Sequence, residues 1–365
     1  MIEKFIPVYQ PSLLGNEKEY VNDCLNSNWI SSKGKYIQLF EDGFATKLEV
    51  KYASTASNGT VALHLALLAL GICEGDEVIV PTLTYIASVN CINYVGAKAV
   101  FADSCLNSWQ VDPKSIESRI TNKTKAIMAV HLYGGSCDMD LIIKIAEKYQ
   151  LFVIEDCAEA FGTKYRGKYV GNFGNIGCFS FYGNKTITTG EGGMVVTNDI
   201  SLFDRVVQLR GQGLSTNRQY WHDIVGYNYR MTNISAAIGL AQLEYSDQIF
   251  IRKKEIAKYY LNKLFNLPLK FQEEENNVSH SYWMFSVLTQ NGNERDALRL
   301  FLETKFIETR PIFFPIHTMP MYSNKFDRFF VAENISSRGL NLPSWPGLNE
   351  NQLDYITSCI HEFYN

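Results

Sequence analysis

The chain has 365 residues, of which 46% are hydrophobic and 20% are charged, and its formal net charge is −4. This composition is typical of a globular enzyme-sized protein, and the length indicates roughly two domains. The weak negative charge and the lack of a strongly basic stretch argue against nucleic-acid binding.

Two features argue against membranes and oxidising compartments. Residues 1–5 lack the basic region and apolar stretch of a secretory signal, and the longest apolar stretch, residues 61–73, is too short to span a bilayer. The eight cysteines include no Cys-x-x-Cys pair, so neither a zinc site nor a redox dithiol is indicated. We therefore expect a cytoplasmic protein with reduced thiols, no membrane contact and no metal.

Strand-like and helix-like segments alternate in the first two thirds of the chain. Apolar runs typical of buried strands lie at residues 77–81, 97–102, 125–130 and 151–155. Helix-like segments lie at residues 60–70, 85–94 and 138–149. This alternation predicts an α/β fold with a largely parallel sheet covered by helices on both faces. Ligands of such sheets bind beyond the carboxyl ends of the strands.

The last third has a different pattern. A helical period extends over residues 232–264, and the regular alternation is then lost, with a strand candidate near Trp283. We therefore predict a large domain over residues 1–245 and a smaller α+β domain over residues 246–365.

A lysine and a carboxylate in the α/β part carry the strongest chemical signal. Lys185 follows a short apolar strand and precedes a glycine-rich turn, and Asp156 stands at the end of another strand. Pyridoxal phosphate (PLP) chemistry needs such a pair, because the amine carries the cofactor aldehyde and the carboxylate keeps the pyridine nitrogen protonated. Taken alone, Lys185 could be a solvated lysine, and Asp156 could cap a following helix.

An anion site is predicted where residues 57–60, Ser-Asn-Gly-Thr, precede an apolar helix. Free N–H groups and the helix dipole favour a phosphate there, although a plain helix cap would have the same sequence. Ser180 is a second hydroxyl candidate for the phosphate. Tyr85 could lie against the cofactor ring or pack in the core.

Together these segments resemble the DegT/DnrJ/EryC1/StrS sugar aminotransferases, which are fold-type-I (aspartate aminotransferase-like) PLP enzymes. The similarity runs in order along nearly the whole chain. It includes Trp-Ile-Ser at 29–31, Ser-Asn-Gly-Thr at 57–60, Glu-Asp-Cys-Ala-Glu at 155–159, the lysine segment at 179–193, Gly-Tyr-Asn-Tyr-Arg at 226–230 and Leu-Asn-Leu-Pro at 340–343.

The resemblance implies a role for each of these residues. Lys185 would carry the cofactor and shuttle the proton, and Asp156 would pair with the pyridine nitrogen. The phosphate would be held by Asn58, Gly59, Thr60 and Ser180. Tyr85 would stack on the ring, and Asn228 would reach the phosphate from the neighbouring subunit. A homodimer with shared active sites is therefore implied, and further assembly is left open.

Glu159 is implied to lie close to the ring hydroxyl of the cofactor. An ionised carboxylate beside a phenolate would be repelled, so we predict that either Glu159 or the ring oxygen keeps a proton. Some relatives carry histidine in place of the lysine and act as dehydratases, which Lys185 disfavours.

The segment 308–322 resembles that of family members that convert GDP-4-keto-6-deoxy-D-mannose to GDP-perosamine, with glutamate as donor, for cell-surface polysaccharide (O-antigen). The candidate substrate contacts are Trp29, Ser31, Arg230, Arg310, Phe313, Phe314 and His317. Each aromatic residue among them could equally pack between domains. The alternative substrates are UDP- or dTDP-linked 4-keto or 3-keto deoxysugars.

Two other classes of protein fit the sequence less well. A dinucleotide-dependent dehydrogenase shares the α/β pattern, but the nearest fingerprint, Gly211-Gln212-Gly213, has Thr216 where the third glycine should stand. A non-enzymatic binding protein would need neither Lys185 nor Asp156.

Overall fold

The computed structural model describes residues 5–323 and 326–365. In these residues the α-helices are α1 (Glu17–Ser27), α2 (Lys35–Leu48), α3 (Gly59–Ala69), α4 (Ala87–Tyr94), α5 (Pro113–Ser118), α6 (Met139–Tyr149), α7 (Ile200–Arg210), α8 (Asn233–Glu244), α9 (Ser246–Leu264), α10 (Gly292–Thr304), α11 (Phe330–Arg338) and α12 (Glu350–Tyr364). The strands are β1 (Tyr52–Ala56), β2 (Glu77–Pro81), β3 (Lys98–Ala102), β4 (Thr124–Val130), β5 (Phe152–Asp156), β6 (Lys164–Tyr165), β7 (Lys168–Tyr169), β8 (Ile176–Ser180), β9 (Gly193–Thr197), β10 (Lys270–Phe271), β11 (Val278–Ser279), β12 (Phe285–Leu288), β13 (Arg310–Pro311) and β14 (Gly339–Leu342).

A seven-stranded mixed sheet forms the centre of the larger part, in the order β1-β9-β8-β5-β4-β2-β3. Strands β2, β3, β4, β5 and β8 are parallel to their neighbours within that set, whereas β9 is antiparallel to both β8 and β1. The predicted α/β fold with a mostly parallel sheet is therefore confirmed.

Both faces of this sheet are covered, which explains why its strands read as continuous apolar runs. On β4, Ala126, Met128 and Val130 lie in one hydrophobic core, and Ile127 and Ala129 lie in the other. Helices α3, α4 and α7 cover the first core, and α2, α6 and α8 cover the second. Neighbouring residues point to opposite faces because the side-chain period of a strand is two.

The smaller part is built on an antiparallel sheet in the order β10-β12-β14-β13. Helices α9, α10 and α12 pack on it around a core that includes Ile256 and Tyr260. Ile6 also lies in this core and forms a parallel bridge with Ile307. Ile6 therefore packs with the smaller part, and the boundary at residue 245 stays a prediction.

The helical period over residues 232–264 corresponds to two helices rather than one. Tyr245 has φ −94° and ψ 1°, which ends α8 before α9 begins. The strand candidate near Trp283 is also slightly displaced, because β12 begins at Phe285. Among the helices of the described part, none is long and apolar enough to cross a membrane.

Candidate active site

A cavity of about 550 Å³ lies beyond the carboxyl ends of β2, β4, β5 and β8, where parallel sheets bind ligands. The residues that line it include Asn58, Gly59, Thr60, Thr84, Tyr85, Ser88, Asp156, Glu159, Ser180, Asn184, Lys185, Glu191, Trp283 and Phe313. The structure therefore brings together the lysine, the carboxylates, the phosphate candidates and Tyr85. Trp283 and Phe313 come from the smaller part.

Lys185 lies in the turn after β8, and its side chain is only 12% exposed. Its Nζ is 3.8 Å from Oε1 of Glu159 and 4.0 Å from the centre of the Trp283 ring. The Tyr9 hydroxyl donates a hydrogen bond to the main-chain carbonyl of Lys185 and so stabilises the turn. Burial lowers the pKa of the Lys185 amine, and the nearby carboxylates of Glu159 and Asp156 oppose this effect. A larger share of the amine is therefore neutral near pH 7 than in an exposed lysine.

Asp156 ends β5 and is 4% exposed. Its Oδ2 accepts a hydrogen bond from the Ser88 hydroxyl at 2.7 Å, and its Oδ1 accepts from the N–H of Ala158 at 3.1 Å. Burial raises the pKa of Asp156, and these hydrogen bonds and Lys185 lower it. No helix follows Asp156 in this described segment, so its carboxylate is not the helix cap considered as an alternative.

Glu159 lies in the turn after β5, and its Oε2 accepts a hydrogen bond from the Tyr133 N–H at 2.9 Å. Burial raises the pKa of its carboxyl to about 7, against the attraction of Lys185. Near neutral pH the carboxyl can therefore carry a proton, and the sharing of a proton between Glu159 and the ring oxygen of the cofactor stays a prediction.

The N-terminus of α3 and the end of β8 form a narrow cradle. The Asn58 side chain accepts a hydrogen bond from the Val61 N–H at 3.0 Å, so this residue caps the helix and also lines the cavity. A Cβ on Gly59 would lie 2.6 Å from Cβ of Ser180, which real contacts do not allow. Glycine is therefore required for this approach of helix and strand, and the helix dipole favours an anion at the cradle.

Tyr85 precedes α4 and is 55% exposed, with its ring 5.6 Å from that of Phe313. It is therefore not a core residue in the single chain, and its ring is accessible from the cavity. Phe313 also stacks on Tyr133 at 5.2 Å, and its N–H donates to the Tyr133 hydroxyl at 2.9 Å.

Four of the predicted contacts lie away from this cavity in the single chain. Asn228 and Arg230 are exposed and hydrogen-bonded to each other, with Arg230 Nη2 3.1 Å from Asn228 Oδ1. Trp29 is 57% exposed, and Ser31 is also on the surface. The carbonyls of both accept hydrogen bonds from Asn233, which fixes the loop before α2.

Three more residues predicted to contact the substrate are Arg310, Phe314 and His317. Arg310 is exposed and paired with Glu308 at 3.2 Å, and Phe314 is 58% exposed. His317 is buried, with Nδ1 2.7 Å from the Thr82 hydroxyl and Nε2 3.2 Å from Glu333. One ring nitrogen thus joins the segment after β13 to Thr82 at the end of β2, and the other joins it to Glu333 on α11.

Sequence reasoning missed Ser88, Tyr133 and Trp283 as parts of the site. Ser88 lies one helical turn after Thr84, whose hydroxyl is 2.9 Å from its own, and this spacing was the available signal. Tyr133 is fully buried with φ 57°, an uncommon conformation that no local sequence pattern announced. Trp283 comes from a distant part of the chain.

His131, Glu155 and Cys157 form a buried cluster beneath the site, with ligand atoms within 4.8 Å of one another. Glu155 already accepts hydrogen bonds from His131 and from the N–H groups of Gly171, Phe173 and Gly174. Burial by itself would raise the pKa of Glu155, but His131 and the N–H groups of Gly174 and Gly171 outweigh it and lower the pKa below its usual value.

The residues of the cavity fit PLP. The cradle at Gly59, Thr60 and Ser180 suits its phosphate, and the buried Asp156 carboxylate suits a protonated ring nitrogen. The Lys185 amine suits its aldehyde. Asn184 also lines the cavity, and its buried Oδ1 has no hydrogen-bond donor among the described residues.

Comparisons with known proteins agree with this geometry. Residues 11–361 match the DegT/DnrJ/EryC1/StrS aminotransferase family. The chain is 63% identical to the GDP-perosamine synthase of Escherichia coli O157:H7 and 52% identical to that of Vibrio cholerae, with 99% of each chain covered in both cases. The PLP form of Spr1654 from Streptococcus pneumoniae has a TM-score of 0.93 and 26% identity, covering 99% of this chain and 98% of that chain. The protein therefore belongs to the DegT/DnrJ/EryC1/StrS aminotransferase family.

Proposed function

We propose that this PLP-dependent aminotransferase moves the amino group of glutamate to the 4-keto carbon of GDP-4-keto-6-deoxy-D-mannose and so makes GDP-perosamine. The observation that carries the reaction type is the buried Lys185 amine beside Asp156 and Glu159 in one cavity. The identity of 63% to a GDP-perosamine synthase over 99% of the chain supports the substrate.

Bound PLP supplies an aldehyde that takes up the amino group and a ring that accepts electrons when a C–H bond breaks. Asp156 provides the negative charge for the ring nitrogen, and Ser88 orients it through the 2.7 Å hydrogen bond. Gly59, Thr60 and Ser180 anchor the phosphate at the start of α3.

Lys185 Nζ would accept the proton from the amino-acid carbon and deliver it to the aldehyde carbon of the cofactor in the same half-reaction, and the second half would reverse this transfer with the sugar. Its lowered pKa suits this role, because a base must be unprotonated before it can accept a proton. Glu159 lies 3.8 Å away and stabilises the charged form that results.

We further propose a cytoplasmic homodimer in which each site is completed by the partner. The exposed positions of Asn228 and Arg230, away from the cavity of their own chain, support this arrangement. Exposed apolar side chains on the same protein, including Trp29 and Val225, supply a surface for association.

The substrate is tested by incubating the protein and PLP with glutamate and either GDP- or UDP-linked 4-keto-6-deoxy sugars. We expect an aminated GDP-sugar, identified by mass and NMR, and no product with the Lys185→Ala variant. Turnover of the UDP-linked sugar alone would overturn the substrate assignment, and full activity of Lys185→Ala would overturn the mechanism.

The shared site is tested by mixing two inactive variants, Lys185→Ala and Asn228→Asp. If sites are shared, random mixed dimers contain one intact site, and activity returns to about a quarter of the native value. If both residues act within one chain, the mixture stays inactive.

A further inference from the structure

The indole ring of Trp283 lies against the reactive amine of the site. Lys185 Nζ is 4.0 Å from the centre of the ring, and Trp283 is only 3% exposed. A cation at this distance from an aromatic face is attracted by the ring quadrupole, and the attraction grows when water is excluded. The contact crosses the molecule, since Lys185 follows β8 and Trp283 precedes β12.

Several contacts hold the indole in place. Its N–H donates to the carbonyl of Asn184, next to Lys185, at 2.7 Å. The Trp283 carbonyl accepts from the buried Lys253 Nζ at 3.0 Å. The ring is nearly parallel to that of Tyr133, with an interplanar angle of 8° and centroids 5.9 Å apart.

The backbone also fixes this position. A Cβ on Gly134 would lie 2.7 Å from the Trp283 nitrogen, so only glycine permits the approach of the two segments. Gly134 has φ +101°, and the adjoining Tyr282 has φ 51°, an uncommon conformation for a side chain of its size. Contacts of the indole ring and of the Trp283 main chain together fix the position of this side chain.

We propose that Trp283 is a catalytic residue whose indole face holds the Lys185 amine in its protonated form during transamination. The proposal rests on the reaction proposed above, and the proton balance is simple. The amino-acid carbon loses a proton, Lys185 Nζ gains it as an ammonium group, and the ammonium would then deliver it to the aldehyde carbon of the cofactor, which leaves the amine neutral again.

Trp283 differs from Glu159, the nearby carboxyl, because its attraction for the ammonium does not depend on pH. The Glu159 carboxyl has a pKa of about 7, so its negative charge is lost as the pH falls through that value. The quadrupole of an indole does not titrate. Trp283 therefore stabilises the ammonium at pH values where Glu159 has become neutral.

Other titratable groups also face this amine or its partners. They are Asp156 at the end of β5, Glu159 after it, Glu191 in the glycine-rich segment, Tyr9 in the N-terminal segment, Tyr85 and Tyr133 in the large part, Tyr182 three residues before the lysine and Lys253 on α9. A test must therefore change the ring electronics of Trp283 and leave all of these groups in place.

Fluorination of the indole meets this requirement, because it weakens the quadrupole with little change in size. Tryptophan with one, two or three fluorine atoms is placed at position 283 by nonsense suppression. In cofactor-free protein, acetylation of Lys185 by acetic anhydride is followed by mass spectrometry as a function of pH. We expect the labelling midpoint to fall stepwise with each fluorine, by about one pH unit over the series.

The matched control is the same series at Trp345, whose indole donates to the Pro7 carbonyl at 3.2 Å. The midpoint of Lys185 should not move there. In the holoenzyme, the rate of the glutamate half-reaction should fall stepwise at position 283 with an increased kinetic isotope effect for glutamate deuterated at C2, while KM for glutamate stays constant.

An unchanged midpoint across the series at position 283, or an equal shift at position 345, would overturn the inference. This readout needs neither cofactor nor sugar, so it separates the two proposals. A shifted midpoint in a protein that aminates no GDP-sugar supports the Trp283 contact and overturns the proposed substrate.

Discussion

Ser88 and Asp156 are joined by a hydrogen bond of 2.7 Å from the serine hydroxyl to Oδ2, and both residues are buried. The Ser88 oxygen is in turn 2.9 Å from the Thr84 hydroxyl. A short chain of hydroxyl groups thus connects the residue before Tyr85 to the carboxylate, and it opposes the rise that burial causes in the pKa of Asp156.

The Ser88→Ala variant should lose about ten- to a hundredfold in kcat, because a hydrogen bond to a buried charged group contributes about 1.5–3 kcal/mol. The pKa of Asp156 should rise further, so the acid limb of the pH–rate profile should move to higher pH. Ser54→Ala is the control, since that buried hydroxyl has no partner among the described residues. Equal kinetics for the two variants would contradict a positioning role for Ser88.

Glu159→Gln should change how stability depends on pH. The pKa of Glu159 is raised from 4.5 to about 7 in the folded protein, so the stabilisation is fully present below 4.5 and is lost as the pH rises through 7. Glutamine cannot titrate, so the variant should gain relative to the native protein across this range, by up to about 3 kcal/mol.

Urea unfolding of cofactor-free protein across this pH range measures the effect of Glu159→Gln, with the exposed Glu147→Gln on α6 as control. The titration of the bound cofactor, followed by its absorbance, should also shift in the variant. If both the stability profile and the absorbance titration match those of the native protein, Glu159 does not hold the proton assigned to it.

Gly59→Ala should abolish tight PLP binding. The new Cβ would lie 2.6 Å from Cβ of Ser180, so the helix and strand would separate and the cradle would open. A spectroscopic titration with PLP should show at least about a hundredfold weaker affinity, a loss of roughly 3 kcal/mol.

Two further variants test this explanation of the cradle. Ser180→Gly removes the clashing atom together with one phosphate contact, so adding it to Gly59→Ala should raise the affinity to that of Ser180→Gly alone. Gly183→Ala, with nothing near its added Cβ, should bind PLP normally. A double variant as weak as Gly59→Ala would show that the crowding is not the cause.

Lys253→Met should destabilise the smaller part and disturb Trp283. The buried Nζ donates to the carbonyls of Trp283 and Ser344 at 3.0 and 2.6 Å, and methionine leaves both without this donor. We expect a loss of about 1–3 kcal/mol in unfolding free energy. Denaturant titration measures it, and the exposed Lys258→Met on the same helix serves as control.

The pH dependence of the Lys253 effect has a defined sign. Burial lowers the pKa of this amine from 10.5 to about 7, so the native protein gains stability as the pH rises from 7 towards 10.5. Lys253→Met should lack this gain. A native-like gain in the variant would show that another group is responsible.

The sequence predicted the large sheet well because its strands are buried on both faces. The runs at 77–81 and 125–130 correspond to β2 and β4 within a residue, and Asp156 stands at the predicted strand end. Local apolar pattern decides such strands, and the order of strands then places their carboxyl ends around one cavity.

The remaining parts of the site depend on contacts between distant segments. Trp283 contacts Lys185 because the smaller part packs against the large one. This position requires the main chain at Tyr282 and Trp283 to lie close to Gly134. His317 was chosen from the sequence as a substrate contact, yet its ring is engaged by Thr82 and Glu333. Neither arrangement has a periodic or short-range signature.

The bridge between Ile6 and Ile307 has a consequence for synthesis of the chain on the ribosome. Ile6 is fully buried, and its N–H and carbonyl bond to Phe306 and Glu308. The apolar segment around Ile6 is therefore synthesised about 300 residues before its partner and stays unpaired for at least about 15 s. During that interval it is a natural target for a chaperone.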